Sequence, residues 1–161
     1  MSLTAEELRS LWDYDPERGV FVRRHTHGRW KAGSDVTGTL SHGYLRAHVL
    51  DKPYAVHRLA FLWMTGQWPS NDVDHINGDR ADNRWVNLRD VTRSVNLQNL
   101  RGAKSNNKGT GLLGAAPWGK RFRAAIRVNG VDHKIGVFDT PQEAHAAYIQ
   151  AKRELHEGAV L

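Results

Sequence analysis

Between Arg121 and Phe138 the chain can be little other than a β-hairpin. Residues 121–128 alternate apolar and charged side chains for most of their length, the pattern of a strand with one buried face. Asn129-Gly130 then supplies two residues that tolerate the positive φ of a tight hairpin loop, and 131–138 returns. Pairing Val128 with Val131 places Phe122, Ala124, Ile126, Val128, Val131, Ile135 and Val137 on one face. Arg121, Arg123, Arg127 and Lys134 fall on the other. A helix must follow, with Thr140 as its cap, Pro141 in its first turn and Glu143 closing a capping box. Ala144, Ala147, Tyr148, Ala151 and Leu155 form one stripe along it, and the small alanines allow a close approach to the apolar sheet face. The arginine face must then look outward.

Composition narrows the partners of such a face. The chain has 161 residues, enough for one domain or two small ones. Lys and Arg number 23 against 17 Asp and Glu, so 23 − 17 leaves +6, which favours a polyanion such as nucleic acid. A solvated sheet face also carries Lys and Arg, but Asp132 is the only counter-charge between these strands, and that favours DNA. A two-stranded ribbon fits a major groove, where arginine reads guanine and binds phosphate. There is no cysteine, which excludes disulfides, thiolate zinc sites and cysteine nucleophiles. The apolar run near 59–64 is too short to span a bilayer, and the N-terminus lacks a secretion signal, so the cytoplasm is the expected location and no membrane partner is expected.

Upstream, Thr4 and Glu7 form a capping box for a short helix burying Leu8, Leu11 and Trp12. Turn chemistry fills 13–19, strands are expected at 20–24, 35–40 and 44–50, and Asp51-Lys52-Pro53 turns the chain. Residues 57–65 read as a buried helix ending at Gly66. From Val73 the expected order is strand, loop, strand near 87–91, then a helix capped by Thr92 and carrying Asn96, with Asn77-Gly78 as a hairpin-turn signal. Residues 101–109 read as a basic linker, in which Lys104 and Lys108 are candidate phosphate contacts.

Asp74-His75 carries the chemistry. Hydrolysis of a phosphodiester needs a base for water, a cation on the phosphate and relief of charge on the leaving oxygen. His75 is the candidate base, because an ordinary imidazole is largely neutral at pH 7. Asp74 and the side-chain oxygen of Asn96 are hard donors suited to one Mg²⁺ or Mn²⁺. Asn87 is placed to hydrogen-bond near His75 and fix its tautomer. Adjacent residues on a regular strand point to opposite faces, so Asp74 and His75 can share a site only at a strand end. Taken singly these residues have plainer readings: an Asp-His pair beside a turn is commonly a solvated loop, Asn87 and Asn96 are turn or capping residues, and His57 is structural. His25 and His27 show no compelling ligand pattern.

These residues also resemble the HNH endonuclease family, in its phage and intron homing branch. The likeness rests on Val56-His57-Arg58-Leu59-Ala60-Phe61, Val73-Asp74-His75-Ile76-Asn77-Gly78, Asp82-Asn83-Arg84, Asn87-Leu88 and Thr92-Arg93-Ser94-Val95-Asn96, in that order over roughly 54–100. It implies a ββα-metal nuclease core, with His75 as general base, Asn87 helping to place it, and Asp74 and Asn96 as metal ligands. Asn96 stands where many members carry histidine, which implies modest metal affinity. The C-terminal part resembles the plant ethylene-response-factor DNA-binding domain through Pro117-Trp118-Gly119-Lys120, Ala124-Ala125-Ile126-Arg127, Gly136-Val137-Phe138-Asp139-Thr140-Pro141 and Glu143-Ala144 with Ala147-Tyr148. That likeness implies a first strand near 112–116 and a sheet lying in the major groove through Trp118, Arg121, Arg123 and Arg127.

The expected architecture is therefore α+β. A nuclease domain covers 1–100, with a β-rich part at 1–53 and the core at 54–100. The linker follows, then a small three-stranded sheet and helix at 110–161. The expected function is a metal-dependent DNA endonuclease acting on double-stranded DNA, nicking or cutting both strands, as monomer or homodimer, in a bacterial or phage-infected cell. A non-catalytic DNA-binding regulator with a decayed nuclease centre is the alternative, and an RNA-directed or structural nucleic-acid protein is a third reading.

Overall fold

The computed structural model describes residues 2–100, 102–103 and 109–156. The chain forms two compact units, residues 1–92 and 93–161, both mixing α and β structure.

The first unit opens with helix α1 (Ala5–Leu11), whose capping box is present: Glu7 N donates to Thr4 Oγ1, and Thr4 N donates to the Glu7 carboxylate. Strand β1 (Trp12–Asp15) begins directly after it and pairs antiparallel with β2 (Val20–Arg23). The turn expected over 13–19 is thus confined to residues 16–19. Tyr14 is buried against Phe21, which draws 12–15 into the sheet, and Asp15 Oδ1 accepts from Glu17 N and Arg18 N to start the turn.

A second sheet has the order β3 (Thr39–Ser41), β4 (Tyr44–Val49) and β5 (Lys52–Ala55). The strand expected at 35–40 is reduced to a bridge at Asp35 and to β3. The turn expected at 51–53 lies instead at Leu50 and Asp51, both at positive φ, and Lys52 and Pro53 already belong to β5. Pro53 is tolerated because β5 is an edge strand. Helix α2 (Val56–Thr65) ends at Gly66 in the left-handed region (φ 80°), as its sequence predicts. Leu59, Ala60 and Leu62 of α2 pack with Leu8, Phe21, Ala47, Val49, Val73 and Leu88 in one core.

Strand β6 (Asp72–His75) pairs antiparallel with β7 (Leu88–Val91), with Asp74 opposite Arg89 and His75 opposite Leu88. Asn77-Gly78 is a local turn closed by Gly78 N donating to His75 O (2.8 Å); it is not a two-residue hairpin, since the whole segment 76–87 joins the strands. That segment ends in a single 3₁₀ turn, Trp85–Asn87.

The second unit begins with the short helix α3 (Arg93–Gln98), which carries Asn96. Its sheet runs β10 (Val131–Phe138), β9 (Arg121–Val128), β8 (Ala115–Trp118), covered on one face by α4 (Pro141–Leu155). Ala115, Ala124 and Ala144 form its small core with Leu112, Phe122, Ile135, Phe138 and Tyr148. The first strand lies at 115–118, later than the 112–116 expected. Leu112 packs as a loop residue, and Gly114 turns at φ 76° where a Cβ would lie 1.9 Å from the Tyr148 ring. The hairpin has the expected Val128–Val131 register but bulges between Lys134 and Gly136. Beyond the bulge Val137 pairs with Arg123, so it sits on the basic face, and Phe138 takes its place over Phe122 on the apolar one.

Candidate functional site

His75 is the last residue of β6 and is 4 % exposed. Its Nε2 meets Asn83 Oδ1 at 3.3 Å. Asn83 Nδ2 donates to Ala81 O (3.0 Å), which leaves Oδ1 as the atom facing the ring. An acceptor there requires Nε2 to carry the proton, so the imidazole lone pair is on Nδ1. Burial pushes the His75 pKa down, while the Asn83 hydrogen bond and the carboxylates of Asp74, Asp79 and Asp82 pull against it. The net lowering keeps the ring neutral at pH 7, as a proton acceptor must be.

Asn83 owes its position to hydrogen bonds between its segment and residues 14–16. Tyr14 Oη donates to Asn83 O, and Trp85 N donates to Pro16 O (3.0 Å). Gly19, at φ 69°, lies so close that a Cβ would come within 2.4 Å of Arg84 N and 2.5 Å of Asn83 C. Gly19→Ala is expected to destabilise the first unit by about 2–4 kcal/mol, from backbone strain plus overpacking, and to shift Asn83 off His75. Chemical denaturation gives the first quantity and the ¹⁵N shifts of the His75 imidazole the second.

The Asn87 side chain bonds to backbone beside His75. Its Oδ1 accepts from Asn77 N (2.8 Å) and its Nδ2 donates to Asp82 O (2.7 Å), while Ile76 N donates to Asn87 O (2.9 Å). Asn87 therefore clamps the segment that leaves His75, and the side chain on the imidazole is Asn83, from a block of the sequence that carried no separate assignment. Asp82 strengthens the same loop: it accepts from Asn77 Nδ2 (2.7 Å) and from Arg84 Nε (2.8 Å). The Arg84 hydrogen bonds hold the Asp82 carboxyl down to about 2, below its ordinary 3.8. A depressed carboxyl stabilises the fold above its unfolded pKa and loses that contribution as pH falls through the folded one. Asp82→Asn is thus expected to lower stability at about pH 6 and to have little effect at about pH 2, which urea unfolding at the two pH values measures.

Asp74 points the other way from His75 in its pairing. Its Oδ2 accepts from Arg89 Nε (2.8 Å) and Arg89 Nη2 (2.7 Å), the residue opposite it on β7. The side chains are 7 % and 23 % exposed, so this pair is largely removed from water. Arg89 is a partner that the spacing of the motif does not announce; it follows from strand register. Asp74 carries hard carboxylate oxygen in the first unit, and Asn96, half-buried on α3 of the second unit, carries amide oxygen. Among the described residues no three His, Asp or Glu side chains gather as a metal-holding group, and His25 and His27 do not form one.

In the second unit, Trp118 pairs with Arg121, Arg123 with Val137, Arg127 with Asp132 and Lys134 with Ala125, all on the face away from α4. Trp118 is 56 % exposed, with the Arg123 guanidinium 5.0 Å from its ring centre. Two cations there have acidic neighbours: Arg121 meets Asp139 at 2.7 Å and Arg127 meets Asp132 at 3.6 Å. Asp139 is thus a counter-charge beyond the one read from the hairpin itself. Both pairs are solvent-exposed and individually weak. Lys104 and Lys108 lie outside the described residues. Among the described residues no helix is long and apolar enough to cross a membrane.

Residues 54–98, which hold His57, Asp74, His75, Asn83, Asn87, Arg89 and Asn96, match the HNH endonuclease family. Over 98 % of its length, and 95 % of the other chain, the protein is similar to a solved structure described as "DNA binding and cleavage by the HNH homing endonuclease I-HmuI", at 18 % identity and a TM-score of 0.47. No curated protein matches it.

Proposed function

We propose that the protein is a metal-dependent DNA endonuclease that hydrolyses phosphodiester bonds of double-stranded DNA. The observation that carries this reading is the contact of His75 Nε2 with Asn83 Oδ1, which orients a buried imidazole with its lone pair on Nδ1, next to Asp74 in the sequence and within the segment that matches the nuclease family. His75 accepts the proton of the attacking water at Nδ1, and Asn83 holds the ring through Nε2–H while it does so. Asn87 keeps the following loop from carrying His75 out of place. Asp74 and Asn96 would hold one Mg²⁺ or Mn²⁺, which when bound would supply positive charge to the phosphate and the leaving oxygen. Arg89 orients Asp74 and reduces the negative charge that the cation meets, which favours modest metal affinity. Trp118, Arg121, Arg123, Arg127 and Lys134, with Lys104 and Lys108 of the linker, bind the duplex, in the manner of an ethylene-response-factor-like domain. The setting is the cytoplasm of a bacterial or phage-infected cell, with the protein acting as monomer or homodimer.

Purified protein incubated with plasmid DNA and Mg²⁺ or Mn²⁺ is expected to cut it, and a chelator to stop the cutting; mapping ends on both strands separates nicking from double-strand cleavage. A non-cleaving DNA-binding regulator is the second reading, and the Asp74–Arg89 pair favours it, because the carboxylate already has a cationic partner from its own sheet. DNA binding without cutting under any metal or pH selects that reading. Arg123→Ala or Arg127→Ala is expected to weaken duplex binding by about 1–3 kcal/mol if the side chain reads a base. A phosphate contact instead lowers the slope of log affinity against log salt by about 0.9.

A further inference from the structure

His57 is the second residue of α2 and is 8 % exposed. Its Nδ1 is buried and makes no hydrogen bond among the described residues. Its ring is therefore located by packing. The ring contacts are specific. His57 meets His75 edge to face, with centres 5.1 Å apart and planes at 84°. Tyr44 of β4 lies 5.1 Å from His57 and 5.8 Å from His75, so the three rings close on one another. Arg80 covers Tyr44 at 4.9 Å and donates to His42 O at 3.1 Å, tying the Tyr44 ring to the segment 76–87.

We propose that His57 is a positioning residue for His75: with Tyr44 it clamps the His75 ring so that Nε2 stays on Asn83 and the lone pair stays on Nδ1. The Asn83 contact, at 3.3 Å, is long for a hydrogen bond and restrains only one corner of the ring. Without a wall on its face the ring could rotate about its side-chain bonds and exchange which nitrogen meets Asn83. His57 serves as that wall without adding charge, because burial, then His75 and Arg58, hold its pKa near 3. A cation against His75 would oppose protonation of the base during the reaction. This inference rests on the assignment of His75 as the base, but its first readout does not require cleavage.

The ¹⁵N spectrum of the His75 imidazole reports the tautomer directly. In the full-length protein at neutral pH it is expected to show one form, protonated at Nε2. His57→Ala is expected to give a mixture of tautomers and to lower kcat by about 10–100-fold, the usual scale for a misplaced reactive group. KM for DNA is expected to stay within about threefold, since ground-state binding is untouched. His57→Phe, which restores a ring of similar shape, is expected to recover a single tautomer and most of the rate. A single His75 tautomer in His57→Ala overturns the proposal whatever the rate does, and so does a His57→Phe variant as impaired as His57→Ala. If His57→Ala fails to fold, Tyr44→Leu opens the clamp from the other side, and an unchanged His75 tautomer there overturns it equally. A tautomer mixture in His57→Ala with no cleavage by any form of the protein keeps the positioning role and removes the nuclease reading.

Discussion

His75→Ala is expected to lower the rate of DNA cleavage by about 10²–10⁴-fold, the range for loss of a positioned general base, while leaving duplex affinity within about twofold. The separation of the two effects follows from where the residue sits. His75 is 4 % exposed and its ring packs on His57, Tyr44 and Asn83, so it contributes almost no surface to a DNA contact. The cationic side chains on β9 and β10 lie in the other unit. Single-turnover cleavage and a binding titration on the same duplex measure both quantities. Cleavage that survives at more than about a tenth of the original rate removes His75 from the role of base.

The second large effect is at Asp74, and here activity and stability must be separated. Asp74→Ala is expected to abolish metal-dependent cleavage. It also leaves the Arg89 guanidinium, 23 % exposed, without the carboxylate that accepts two of its hydrogen bonds. Losing these charge-assisted hydrogen bonds costs about 1–3 kcal/mol, which lowers Tm by about 5–15 °C in a unit of this size. Arg89→Ala is expected to destabilise by a similar amount through the buried carboxylate. The double variant Asp74→Ala/Arg89→Ala is expected to cost less than the sum of the two single variants, because both remove the same pair of hydrogen bonds, and to recover none of the cleavage. Thermal unfolding and the cleavage assay on all three variants test this. Restored cleavage in the double variant excludes Asp74 as a metal ligand.

Much of the local structure was legible along the chain, for physical reasons that act over a few residues. The capping boxes at Thr4 and Thr140, the left-handed Gly66 and the strands on either side of Asn129-Gly130 all stand where their residues predict. Each depends on a side chain reaching its own backbone, or on a dihedral that only a few residues adopt. Errors came where a distant contact outweighs the local signal. Tyr14 looks like part of a turn until its ring is buried against Phe21, which extends β1. Val137 looks apolar-facing by alternation until the bulge after Lys134 reverses the faces beyond it.

The candidate site divides the same way. The Asp74-His75 dipeptide, its place at a strand end and the loop-forming residues after it are properties of the sequence alone, because they are set by residue chemistry and short-range turn geometry. The sequence alone also excludes thiolate ligands for a metal here, since the chain has no cysteine. Only the tertiary structure decided which amide holds the imidazole. Asn83 and Asn87 are chemically identical and four positions apart, and the loop fold sends one to His75 and the other to the backbone of Asn77 and Asp82. Strand register likewise chose Arg89 for Asp74, and the packing of α2 and β4 brought the His57 and Tyr44 rings against that of His75. Hydrogen bonds and ring contacts between segments far apart in the chain depend on where the whole core places each element, and no local pattern encodes that placement.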